Sequence, residues 1–95
     1  MTVATLLAAY RWRPIPGCPG RFVLSGGRSG HGPEALVPGT AIEEHRVPRA
    51  RDIVLVARLA DGGLLSYRHA DGWYVHTLCD APGLARKLAD LGIAG

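Results

Sequence analysis

The clearest pattern in the chain lies in its second half, where apolar segments alternate with short polar turns. Residues 53–60 form a nearly continuous apolar run of the kind found in the interior of a sheet. Asp61-Gly62-Gly63 and Asp71-Gly72 are hairpin signals, and they delimit two further strands over residues 64–70 and 73–78. The pattern predicts a three-stranded antiparallel meander.

The segment after the meander has the pattern of an amphipathic helix. Asp80 is a favourable N-cap residue, and Gly92 is typical of a helix end. Between them, leucines recur at helical spacing at Leu84, Leu88 and Leu91. We predict that this stripe packs on the sheet and that the polar side chains of the helix face water: Arg86, Lys87 and Asp90.

The first half of the chain is less regular. Residues 5–13 lead into Pro14, and because proline pushes the preceding residue towards extended conformations, we predict a strand there, with a short helix as the alternative. Residues 21–25 follow a turn of prolines and glycines and are predicted to form the second strand of a hairpin. Residues 26–51 are too long for an ordinary connection. The alternatives are a packed surface loop, a strand over residues 40–47 or a mobile segment, and we favour one strand within a mostly irregular region.

The lengths of the two hairpin loops decide which side chains share a face of the sheet. A two-residue turn at Asp71-Gly72 places Tyr67 opposite His76. A three-residue loop before Leu64 adds four residues to that same face: Ile53, Leu55, Ala57 and Leu59. A two-residue loop turns the same strand over. We favour the three-residue loop because it gives the more amphipathic sheet.

The composition is that of one folded domain. At 95 residues the chain is long enough for one core, and 47% hydrophobic with 20% charged residues is a globular balance. We predict a single small α+β domain over residues 1–95, an antiparallel β-meander of four to six strands with a C-terminal amphipathic helix packed on one face. Apolar residues on the opposite face exceed what one helix covers: Val54, Val56, Trp73 and Val75. The N-terminal hairpin or a second copy of the chain must cover them, and we expect a homodimer.

No membrane segment or export signal is indicated. The longest apolar runs, residues 3–9 and 53–57, are far shorter than the roughly 20 residues of a transmembrane helix. No basic stretch precedes the first apolar run, so we expect a soluble cytoplasmic protein without a membrane partner. Cys18 and Cys79 are widely separated; a disulfide is one alternative, and two free thiols are the interpretation we favour.

Two histidines of the meander are the candidates for a metal site. On the predicted face His69 and His76 are diagonal neighbours, about 7 to 8 Å apart at the backbone. The usual ligand spacings, such as C-x-x-C or H-E-x-x-H, are absent, so we expect no metal and no other cofactor. No nucleophile motif is present either, and catalysis is less expected than binding.

The charge is unevenly distributed. The net charge is +3, and residues 1–51 carry seven arginines against three glutamates. Arginines beside aromatic residues are typical of nucleic-acid-binding surfaces, and the candidate residues are Arg11, Trp12, Arg13, Arg21, Arg46, Arg49 and Arg51. Along a strand, however, Arg11 and Arg13 lie on one side and Trp12 on the other. We therefore favour a non-enzymatic interaction or structural domain that self-associates, with an RNA- or DNA-binding domain as the alternative.

Residues 67–93, YRHADGWYVHTLCDAPGLARKLADLGI, resemble the end of HicA-type messenger-RNA-cleaving toxins. The resemblance implies a strand, an Asp-Gly turn, a strand and a helix from a double-stranded-RNA-binding-like fold. Where that family has its catalytic histidine, this chain has Gly63, Leu64 and Leu65. The resemblance therefore assigns no catalytic role to His69 or His76.

Overall fold

A computed structural model describes residues 1–48 and 52–94 of the chain. The helices are α1 (Val3–Ala9), α2 (Pro33–Leu36) and α3 (Ala81–Leu91). The strands are β1 (Trp12–Pro14), β2 (Arg21–Ser29), β3 (Ile42–Val47), β4 (Asp52–Leu59), β5 (Gly62–Arg68) and β6 (Tyr74–Asp80).

The described strands form one antiparallel sheet in the order β1-β2-β6-β5-β4-β3. α3 packs against β5 and β6, so the predicted α+β class with a C-terminal helix on the sheet is confirmed. α3 begins after Asp80, whose carboxylate accepts a hydrogen bond from the Gly83 amide at 2.8 Å, and it ends at Gly92. Within the described ranges, no helix is both long and apolar enough to cross a membrane.

The N-terminal strand prediction was wrong over most of its length. Residues 3–9 form α1, the alternative weighed for this segment, and the side chain of Thr2 accepts a hydrogen bond from the Thr5 amide to cap it. The proline effect reaches only the residue before Pro14, so the helix is complete before that restriction acts. The predicted hairpin is retained in a shorter form, because β1 pairs with residues 22–24 of β2. In the segment thought mostly irregular, β3 matches the expected strand and α2 is an additional turn of helix.

Both hairpin loops differ from the predicted lengths. Leu59 pairs with Gly62, so the first loop has two residues. In the second, the amide of His69 donates to the carbonyl of Trp73 and Gly72 has φ of +85°. This is a three-residue loop with a left-handed residue at its end, a position that favours glycine. Consequently Ser66, and not Tyr67, lies opposite His76, and the face assignment made from the sequence was wrong.

The observed register gives the sheet two covered faces. On the face under α3, the α3 face, lie Val54, Val56 and Leu65, all fully buried. On the opposite face, the α1 face, Leu64 and Leu78 pack with residues of α1 and α2: Val3, Leu6 and Leu36. We expected Val54 and Val56 to lie opposite the C-terminal helix and to be covered by the N-terminal hairpin or a second copy of the chain; this was wrong, because α3 covers them. These residues therefore give no reason to expect a homodimer, and self-association would have to use another surface of the chain.

Two adjacent glycines let helices approach the sheet from opposite sides. A Cβ on Gly62 would overlap the backbone oxygen of Cys79 and lie 2.8 Å from the Val3 side chain of α1. A Cβ on Gly63 would lie 2.8 Å from Leu84 of α3. Successive residues of a strand point to opposite faces, so this pair provides one contact for each helix.

We expect Gly62→Ala to lower the free energy of unfolding by at least about 2 kcal/mol, because the added methyl group meets backbone that cannot move aside. Gly30→Ala is the matched control. Its Cβ would lie 3.8 Å from the Trp73 ring, an ordinary van der Waals contact. Urea denaturation followed by circular dichroism measures both, and equal effects of the two substitutions would contradict the close approach at Gly62.

Candidate nucleic-acid interface

Cationic residues from two strands share the α3 face. Arg13 of β1 lies opposite Val23 of β2, and Val23 lies opposite Thr77 of β6. Arg21 lies two residues before Val23 and opposite Cys79. Facing residues of an antiparallel ladder have side chains on one face, and Cys79 packs in the core under α3. Arg13 and Arg21 are therefore diagonal neighbours on the α3 face.

A third cation reaches the same region from α3. Lys87 is half-buried, and its Nζ lies 5.7 Å from the centre of the Tyr67 ring, a cation–π distance. Burial raises the pKa of the Cys79 thiol to about 11, and the positive charges of Arg21 and Lys87 both oppose that rise. The two cations thus act on the same buried thiol. We call Arg13, Arg21 and Lys87 the basic face.

The basic face differs from three other arginines of the described surface, which are paired with acidic side chains. Arg28 pairs with Asp71, Arg58 with Glu43 at 2.5 Å, and Arg68 with Glu44 at 3.7 Å. Among the side chains of residues 1–48 and 53–94, no carboxylate lies within ion-pair distance of the basic face. Its positive charge is therefore available to a ligand.

The remaining sequence candidates are not gathered at this face. Trp12 lies on the α1 face, where its Nε1–H donates to the carbonyl oxygen of Leu6 at 2.9 Å. Arg11 is exposed just before β1. Arg46 lies on β3 at the far edge of the sheet and on the opposite face. Arg49 and Arg51 lie outside the described residues.

Lys87 was missed because the helix pattern was interpreted from its leucines alone. We expected this side chain to face water, and it instead flanks the buried stripe against Tyr67. Position 87 stands three residues after Leu84 and one before Leu88, so the i, i+3, i+4 rule places it at the border of the apolar stripe. A long basic side chain at such a position covers apolar surface with its methylene groups.

His76 belongs to a closed polar cluster on the α1 face. Its Nε2–H donates to the carbonyl oxygen of His31 at 3.0 Å, and its Nδ1 accepts from the hydroxyl of Ser66 at 2.7 Å. The ring stacks on Tyr74, with 6.0 Å between centroids. Both His76 and Ser66 are fully buried. This cluster attaches the segment before α2 to the sheet and offers no ring nitrogen to a metal.

The two histidines considered for metal binding are consequently not the diagonal pair predicted from the sequence. The pair required Tyr67 opposite His76, and the register places Ser66 there. No group of three His, Cys, Asp or Glu residues suited to holding a metal ion is found in the described part of the chain. Cys18 and Cys79 are free thiols, as expected.

Comparison of the chain with protein-family models, with curated proteins and with solved structures gives no match.

The buried His76 makes stability depend on pH. Burial lowers the pKa of this imidazole below its ordinary value of 6.5. As pH falls through about 6.5, His76 becomes protonated in the unfolded chain but stays neutral in the folded chain. The free energy of unfolding therefore decreases towards acidic pH. We expect a loss of up to about 1.4 kcal/mol per pH unit below that point.

His76→Gln should remove this dependence, and it should lower the free energy of unfolding at pH 7 by about 1 to 3 kcal/mol because the buried hydrogen bonds are disturbed. His31→Gln is the control, since it changes an exposed side chain and keeps the backbone carbonyl that His76 uses. Denaturation at pH 7, 6 and 5 decides. If the free energy of unfolding of His76→Gln depends on pH as that of the wild type does, His76 is not the source of the pH dependence.

Proposed function

We propose that this chain is a non-enzymatic binding domain that engages the phosphate backbone of nucleic acid through the basic face. One observation carries the proposal: two strands and a helix bring three cations to one side of the sheet, and no described acidic side chain neutralises them. Fixed cations of this kind release the counterions condensed on a phosphate backbone, and that release drives binding.

The positions of the cations on strands and a helix support the proposal. Arg13 and Arg21 are diagonal neighbours, so their backbones lie about 7 to 8 Å apart. That spacing is close to the separation of successive phosphates along one strand. Arginine binds phosphate oxygens in a bidentate manner, and Lys87 adds a point charge beside the pair.

The aromatic residues indicate which feature of the nucleic acid is recognised. The Trp12 indole is bonded to α1 on the other face, and Lys87 lies over the Tyr67 ring. Neither ring is presented as a platform on which bases stack, and the exposed rings of Tyr10 and Trp73 are not part of the basic face. We therefore infer contact with the backbone of a duplex, with little dependence on base sequence.

Fluorescence anisotropy with short labelled duplexes and single strands tests the proposal. Three phosphate contacts give a slope of log K against log salt of about −2.7 on duplex DNA. Binding should then be about twentyfold weaker at 150 mM than at 50 mM salt, with a dissociation constant on the order of 10⁻⁴ M at the higher value. Two duplexes of different sequence should bind alike.

Arg13→Gln should weaken binding and reduce the slope by about one contact, and Arg13→Gln/Arg21→Gln should reduce it by about two. Arg86→Gln is the matched control, because it removes one exposed cation from α3 and changes the net charge equally. If Arg86→Gln weakens binding as much as Arg13→Gln, net charge and not the basic face is responsible, and the proposal fails.

A further inference from the structure

The two edges of the sheet are unequal. At one edge β1 has three residues and ends at Pro14, which has no N–H to donate. At the other edge β3 has six residues without proline and, among the described strands, pairs only with β4. The outer backbone groups of a terminal strand are a template for another strand, so β3 is the edge that can accept one.

Symmetry restricts how β3 can pair with a second copy of itself. In an antiparallel pair related by a two-fold axis perpendicular to the sheet, the axis passes midway between two facing residues. One residue of β3 must therefore face its own copy, and residues equally far from it on either side face each other. Facing residues then lie on the same face of the combined sheet.

Only one position of the two-fold axis among the charged residues of β3 avoids placing like charges opposite each other. An axis at Glu44 would set two glutamates against each other, and an axis at Arg46 would set two arginines against each other. An axis at His45 brings Glu44 of each copy opposite Arg46 of the other, so that two complementary pairs form. Opposite charges that face each other across a ladder stabilise it, and like charges destabilise it.

We propose that two copies of this chain associate through β3, antiparallel, with the two His45 residues facing each other across the axis. The pairing gives Arg46 a carboxylate partner, since Arg46 is exposed and no acidic side chain of residues 1–48 and 53–94 lies within ion-pair distance of it. Glu44 remains exposed although Arg68 lies 3.7 Å from it, so it can accept a second cation.

The other face of β3 is compatible with the same register. His45 is half-buried, and its Nε2 lies 3.2 Å from Oε1 of Glu43. Arg58 holds the same carboxylate and donates to the carbonyl oxygen of Ala94 at 3.2 Å. The axis therefore has a carboxylate beside each imidazole.

Five residue pairs form a small interface, so we expect a weak dimer with a dissociation constant on the order of 100 µM.

Sedimentation equilibrium from about 10 µM to 1 mM tests the proposal, and the weight-average mass should rise from 10.1 kDa towards twice that value. Glu44→Arg and Arg46→Glu should each stay monomeric, because each places like charges opposite each other. Mixed in equal amounts, they should form a heterodimer, since both pairs between positions 44 and 46 then have opposite charges. Glu34→Arg, an equal change of charge on the exposed surface of α2, is the control and should associate as the wild type does.

Recovery of association in the mixture also shows that both variants are folded. A constant mass of 10.1 kDa for the wild type over this range would overturn the proposal. So would self-association of either single variant, or a mixture that stays monomeric. The experiment contains no nucleic acid, so its outcome is independent of the basic face.

Discussion

The register among β4, β5 and β6 decides which side chains lie under α3 and which lie under α1 and α2. Because the side chains of a strand alternate between faces, a shift of one residue would move Leu65 out of the α3 core and Leu64 into it. Two loops fix this register, one of two residues and one of three. The first loop also attaches α1, since the carboxylate of Asp61 accepts a hydrogen bond from the Val3 amide at 2.8 Å. The same turn thus sets strand pairing and positions the helix that covers one face.

Local signals were sufficient to predict the elements of the second half. The Asp80 cap, the leucine stripe and Gly92 all lie within one segment, and α3 forms as they indicate. The register was not predictable in the same way, because Asp61-Gly62-Gly63 and Asp71-Gly72 are compatible with loops of two or three residues. The glycines of the first turn were interpreted as turn residues. Their close contacts with Val3 and Leu84 come from elements distant in the sequence.

The same division between local and distant information applies to the candidate interface. The arginines of the first half pointed to the strands that carry Arg13 and Arg21, and alternation correctly separated Arg13 from Trp12. Lys87 joins Arg21 only because α3 lies across β5 and β6, next to the strand that carries the arginine. Most of α1 was predicted as a strand although Thr2 is a recognisable N-cap, because the effect of the following prolines on the backbone was overestimated.

The proposed surfaces lie at opposite ends of one sheet. The arginines of the basic face lie on β1 and β2, with Lys87 contributed by α3, and the β3 edge is at the other end of the strand order. Between them the buried core and the His76 cluster hold the strands in place. A second copy bound at the β3 edge does not cover the arginines at the other end of the sheet. Self-association and nucleic-acid binding are therefore compatible in a single assembly.

The register is the claim on which the face assignments, and with them both proposed surfaces, depend. Cross-strand nuclear Overhauser effects in a labelled sample measure it directly. The account predicts backbone contacts between Ser66 and His76 and between Leu64 and Leu78, with Leu55 opposite Ser66 on the other side. Contacts that place Tyr67 opposite His76 and Leu65 opposite Leu78 would contradict it.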